Sequence, residues 1–102
     1  MNVDPKRIFQ KCIDLWGETS QILMAVEELN ELSIELLHAL RANKPFDIDR
    51  IIDETADVDL MIDQLKFIFS ISDEDLSKAK EKKIQRLKEI IESEQRLGEW
   101  KL

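Results

Sequence analysis

Ile22-Leu23-Met24-Ala25-Val26-Glu27-Glu28-Leu29-Asn30-Glu31-Leu32-Ser33-Ile34-Glu35-Leu36-Leu37-His38-Ala39-Leu40 is the stretch that decides the fold class. It holds no Gly or Pro, and apolar residues recur at helical spacing at Ile22, Ala25, Val26, Leu29, Leu32, Leu36 and Leu40. Glu18-Thr19-Ser20 opens this helix, and Asn43-Lys44-Pro45 closes it, because proline lacks the N–H that a continuing helix would need. At about 100° per residue, Glu28 and Glu31 lie about 60° apart, with Glu35 between them one turn on, roughly opposite Leu29 and Leu36. The spacing predicts a long helix with one acidic and one apolar face, the Leu29/Leu36 side facing the core.

The same reading extends in both directions. Asp4-Pro5 has the form of an N-cap followed by proline at the first helical position, and Ile8, Phe9, Cys12, Ile13 and Trp16 continue a first helix up to Gly17. Asp47 can cap a third helix with apolar positions at Ile51, Val58, Ile62, Leu65 and Phe69, closed by Ser70-Ile71-Ser72. Ser72-Asp73-Glu74-Asp75 outlines a capping box for a fourth helix that should fade near Gly98. With no repeat, low-complexity tract or linker, residues 1–102 are expected to form one all-α domain, a four-helix bundle with short turns.

Composition agrees. Of 102 residues 43% are hydrophobic and 36% charged, with two Gly and two Pro, which leaves little turn chemistry for a sheet. The net charge of −7 argues against a nucleic-acid polymer as partner, since phosphate backbones need a basic footprint. No apolar run approaches the roughly 18 residues needed to cross a membrane. Met1-Asn2-Val3-Asp4-Pro5 also lacks a charged-then-apolar signal, so a cytoplasmic protein is expected. Cys12 is the single cysteine and is expected to be a reduced core residue.

The chemistry resides in two carboxylate pairs at i, i+3 spacing, Glu28-Leu29-Asn30-Glu31 and Glu54-Thr55-Ala56-Asp57. Taken singly, such a pair is an ordinary solvated helix face. On the third helix, however, Glu54 and Asp57 share a side with Met61, Leu65 and Ile68, where charges do not normally sit. Two such pairs on consecutive antiparallel helices can meet at one level, and facing acids in an apolar surround make an oxygen-ligand site suited to Mg²⁺. Glu27, Asp53, Asp59 and Asp63 turn away from that centre by helical angle.

Trp16-Gly17-x-x-Ser20-Gln21, then Glu27-Glu28-Leu29-Asn30-Glu31-Leu32, then Asp53-Glu54-Thr55-Ala56-Asp57-Val58-Asp59-Leu60-Met61-Ile62-Asp63-Gln64-Leu65 together resemble the MazG-like superfamily of all-α nucleoside triphosphate pyrophosphohydrolases. That family's pattern is ExxE, a variable spacer, then ExxD running into an apolar helix, and the likeness extends from Trp16 to about Leu87. The resemblance implies Mg²⁺-dependent hydrolysis of a nucleoside triphosphate to the monophosphate and pyrophosphate. It implies Glu28, Glu31, Glu54 and Asp57 as metal ligands, and Glu31 or Glu35 as the carboxylate that deprotonates the attacking water. On the fourth helix Lys83 lies within the stripe Leu76, Ala79, Leu87 and Ile90, with Arg86 at its border. Either Lys83 snorkels past that stripe or, as basic residues on the family's last helix suggest, Lys83 and Arg86 bind substrate phosphates. Trp16 and Gln21 precede Glu28 by one or two turns, so each is either core or a contact to the base. Trp100 is expected to pack on a partner or the last turn, and Met24 and Met61 to serve packing.

Two other functions fit parts of the chain. Glu35-Leu36-Leu37-His38 has the Glu-x-x-His spacing of di-iron bundles, but such a site needs two of these motifs and the chain has one His. A non-catalytic acidic interaction module is disfavoured by the apolar company of Glu54 and Asp57. Leu23, Ile34 and Leu37 lie on further sides of the second helix, which predicts a homodimer or homotetramer.

Overall fold

A computed structural model describes residues 3–100, with side chains described through residue 96. The expectation for the Trp100 side chain lies outside the described residues. The fold is all-α, with four helices: α1 Pro5–Trp16, α2 Glu18–Arg41, α3 Ile48–Ile68 and α4 Asp73–Trp100. No described helix is long and apolar enough to cross a membrane. The contacts divide the chain into two units, Met1–Ser70 and Ile71–Leu102.

The ends of the helices follow from local chemistry. Asp4 accepts the backbone N–H of Lys6 at 3.1 Å ahead of Pro5. Asp47 accepts that of Arg50 at 3.3 Å, each satisfying a donor that the first turn leaves unpaired. Gly17 separates α1 from α2 with φ 87°, a left-handed conformation that a side chain would strain. Helix α2 ends in a Schellman turn. Asn43 takes φ 52°, its N–H donates to the Leu40 carbonyl at 3.3 Å, and the Lys44 N–H donates to the Ala39 carbonyl at 3.0 Å. Pro45 then prevents the helix from resuming. At the end of α3, Ser70 also takes a positive φ, 54°, and its N–H donates to the Phe67 carbonyl at 3.4 Å.

In the Met1–Ser70 unit, α2 and α3 form the principal pair and α1 packs on both, with Phe9 against Phe67 at a ring separation of 6.0 Å. Two polar contacts mark the antiparallel alignment. Gln64 Nε2 donates to Gln21 Oε1 at 2.6 Å, and Arg50 pairs with Glu35 at 3.3 Å. The step from Gln21 to Glu35 along α2 equals the step back from Gln64 to Arg50 along α3. Glu28, midway along the first, is therefore level with Asp57, midway along the second.

The face of α2 that meets α3 differs from the sequence expectation. Gln21, Ile22, Ala25, Glu28, Leu32, Glu35 and Ala39 are the buried or half-buried positions, and all but Ile22 follow a spacing of alternately four and three residues, the seam of an antiparallel coiled pair. Leu29 and Leu36 flank this seam and stay 47% and 37% exposed, so they are not the core. On α3, Val58 is buried and Ile51, Met61, Leu65 and Ile68 are half-buried as expected, whereas Ile62 and Phe69 are exposed. Cys12 is free and half-buried.

In the Ile71–Leu102 unit, Ser72 Oγ accepts the Asp75 N–H at 3.0 Å, the expected cap. Asp73, Glu74 and Asp75 place negative charge at the positive end of the helix dipole. Glu74 also pairs with Lys78 one turn on, at 3.1 Å. Helix α4 runs to Trp100, the last described residue, two positions past Gly98, and passes through that glycine because one glycine weakens a helix by only about 1 kcal/mol.

Candidate metal centre

Three carboxylates converge where the polar positions of α2 and α3 come level. Glu28, Glu54 and Asp57 each offer an oxygen, and these oxygens lie within 4.8 Å of one another. The register explains the convergence: Glu28 faces Asp57 across the seam, and Glu54 stands one turn before Asp57 on the same side of α3. All three are half-buried. Glu31, one turn beyond Glu28, is exposed and is not one of the converging three.

The cluster is electrostatically costly as it stands. Among the described residues, Glu28 Oε2 and Glu54 Oε2 are buried oxygens with no hydrogen-bond partner. Loss of hydration, and then repulsion from Glu31, Asp57 and Glu54, pushes the Glu28 carboxyl above its ordinary value. Loss of hydration, and then repulsion from Glu31, Asp57 and Asp53, raises Glu54, which Arg50 only partly offsets. Glu31 is thus the largest like-charge influence on both, although it lies at the exposed edge. Three converging carboxylates, two of them with a buried oxygen lacking a hydrogen-bond partner, form a donor set that fits a hard divalent cation.

The other expected site residues are distributed as follows. Glu35 is half-buried and held by Arg50 at the end of the seam nearer the α2–α3 turn. That ion pair gives Glu35 a partner on α3. Glu27, Asp53, Asp59 and Asp63 are exposed, in keeping with their helical angles. Trp16 is 60% exposed at the end of α1. Gln21 is 2% exposed, its carbonyl engaged by Gln64 and its Nε2 without a partner among the described residues. Lys83 and Arg86 are exposed residues of α4.

Two participants were not anticipated from sequence. Gln64 lies on the seam two turns past Asp57, where its polarity gave no hint of burial, and Arg50 appears in a run of charges without periodic distinction. The signal that exposes both is the register itself, since each stands opposite a polar seam position of α2. No family model, curated protein or solved structure matches this chain.

Proposed function

We propose that this protein is a Mg²⁺-dependent nucleoside triphosphate pyrophosphohydrolase of the kind found in the MazG-like superfamily it resembles, acting in the cytoplasm. The observation that carries this reading is the convergence of Glu28, Glu54 and Asp57, two of which, Glu28 and Glu54, also carry a buried carboxylate oxygen with no hydrogen-bond partner among the described residues. Solvated acids would face water, and structural ion pairs would bring a Lys or Arg to the centre. A cation-binding site accounts for both departures.

In this reading Glu28, Glu54 and Asp57 hold Mg²⁺ from two helices, with Glu31 able to join from the exposed edge. When bound, the cation supplies charge neutralisation and orientation for the triphosphate oxygens. Glu31 accepts a proton from the water that attacks the α-phosphorus, and the bond from that phosphorus to the bridging oxygen breaks, releasing pyrophosphate. Glu31 suits this role better than Glu35, because the Glu35 carboxylate is engaged by Arg50. Trp16, exposed beside the start of α2, presents a ring face on which a base can stack.

Pyrophosphate should appear when the purified protein is mixed with Mg²⁺ and a panel of canonical and modified nucleoside triphosphates, and should disappear in EDTA. Absence of pyrophosphate from every nucleotide would sink the enzyme reading. The same reading includes a homodimer or homotetramer, supported by Leu23, Ile34 and Leu37, which remain 58%, 63% and 44% exposed. Sedimentation at micromolar protein should give a mass of at least two chains, and a monomer would remove that part.

A further inference from the structure

Gln21 and Gln64 are the buried polar residues of the Met1–Ser70 unit, each 2% exposed, and they occupy seam positions where Leu or Met would pack without an orphan. One hydrogen bond joins them, from Gln64 Nε2 to Gln21 Oε1 at 2.6 Å, and Gln21 Nε2 has no partner among the described residues. A buried amide left partly unsatisfied is a poor source of stability. The best-attested service of a polar group in a helical seam is to favour one axial alignment over the others.

Alignment is what the rest of this seam leaves loosely specified. Ala25, Leu32, Val58, Met61 and Leu65 are small or aliphatic, and such side chains discriminate between axial alignments less sharply than a paired polar group does. Glu35–Arg50 marks the native alignment, but the Arg50 side chain is 65% exposed, so water and salt weaken its discrimination. One turn is about 5.4 Å. That exceeds the 4.8 Å within which the oxygens of Glu28, Glu54 and Asp57 gather, so a one-turn slip would carry Glu28 off the level of Asp57 while Glu54 and Asp57 stay neighbours on α3.

We propose that the Gln21–Gln64 pair is a register key, a positioning element about two turns from the carboxylates that holds α2 level with α3 so that Glu28, Glu54 and Asp57 converge. The effect on cation binding rests on reading that cluster as a cation site, whereas the effect on register does not. Any other alignment leaves at least one of the two buried amides without its partner, and the native one alone pairs them.

Three measurements on the full chain test this. In Gln21→Met/Gln64→Met the melting temperature in EDTA should equal or exceed that of the wild type, while the Kd for Mn²⁺, read from the electron spin resonance of the free ion, rises by at least about tenfold. Gln21→Glu keeps an acceptor for Gln64 Nε2 and should hold Mn²⁺ affinity within about threefold of wild type. In a Cys12→Ser background, spin labels at the exposed positions 33 and 52 should report one cation-free distance in wild type and an additional, displaced one in the double Met variant. A double variant that folds, binds Mn²⁺ as tightly as wild type and keeps one distance overturns the proposal. So does a double variant that fails to fold while Gln21→Glu folds, since the pair would then be a requirement of the core. If the wild type itself binds no Mn²⁺, the cation reading fails, and the spin-label distances alone decide whether the pair sets the register.

Discussion

Glu28→Gln is expected to abolish pyrophosphate release and to leave the cation-free protein at least as stable as the wild type. The two effects have one cause. The Glu28 carboxylate is half-buried, has an unpartnered oxygen and faces Glu54 and Asp57, so its charge is unfavourable to the fold and useful only to a cation. Gln keeps the volume and removes the charge, relieving the repulsion that Glu31, Asp57 and Glu54 exert on Glu28. A bound metal ion supplies several kcal/mol of charge stabilisation in phosphoryl transfer, and about 1.4 kcal/mol corresponds to tenfold, so losing a ligand should lower turnover by roughly a thousandfold or more. Asp57→Asn should behave in the same way. A pyrophosphate assay alongside thermal melts in EDTA separates this from a folding defect: lost activity with an undiminished melting temperature is the expected pair. Activity within threefold of wild type would remove Glu28 from the site.

The fold was largely legible because its punctuation is chemical. Asp4-Pro5, Gly17, Asn43-Lys44-Pro45, Asp47 and Ser72 each act through a backbone donor, an acceptor or a permitted dihedral, and local rules of that kind can be read without knowing the tertiary structure. The side of α2 that meets α3 was not legible. Leu29 and Leu36 are the more hydrophobic positions, yet the seam runs through Gln21, Ala25, Glu28, Leu32, Glu35 and Ala39. A hydrophobicity pattern favours the flank because the true seam is diluted by the polar groups it carries. The same dilution explains the acids. Both i, i+3 pairs mark the right turns of the right helices, but spacing alone cannot say that Glu54 and Asp57 both turn inward while only Glu28 of the α2 pair does so. Gln64 illustrates the limit most clearly, since nothing about a lone Gln distinguishes an interhelical partner from a solvated side chain until the register is known.

If the cluster is a cation site, divalent metal should raise thermal stability in a pH-dependent way with a defined sign. Burial and like charge raise the carboxyls of Glu28 and Glu54 above their ordinary value of 4.5, so in the window above that value the folded chain binds more protons than the unfolded chain. Stability contributed by these two groups is therefore present below the window and lost as pH rises through it. In EDTA, the wild type should lose more melting temperature between pH 4.5 and pH 8 than Glu28→Gln/Glu54→Gln does; the comparison cancels His38 and the surface acids. Mg²⁺ reverses the order, because the deprotonated carboxylates are the ligands and protons compete with the cation. At a free cation concentration of about a hundred times Kd the stabilisation is about 2.7 kcal/mol. At 4–8 °C per kcal/mol for a domain of this size, that is a rise of roughly 10–20 °C. The rise should be greater at pH 8 than at pH 5.5 and absent in the double Gln variant. Sodium chloride at matched ionic strength controls for screening of the net charge of −7. A Mg²⁺ effect no larger than that of sodium, or one of equal size in the double variant, would show that the orphaned oxygens of Glu28 and Glu54 are not cation ligands.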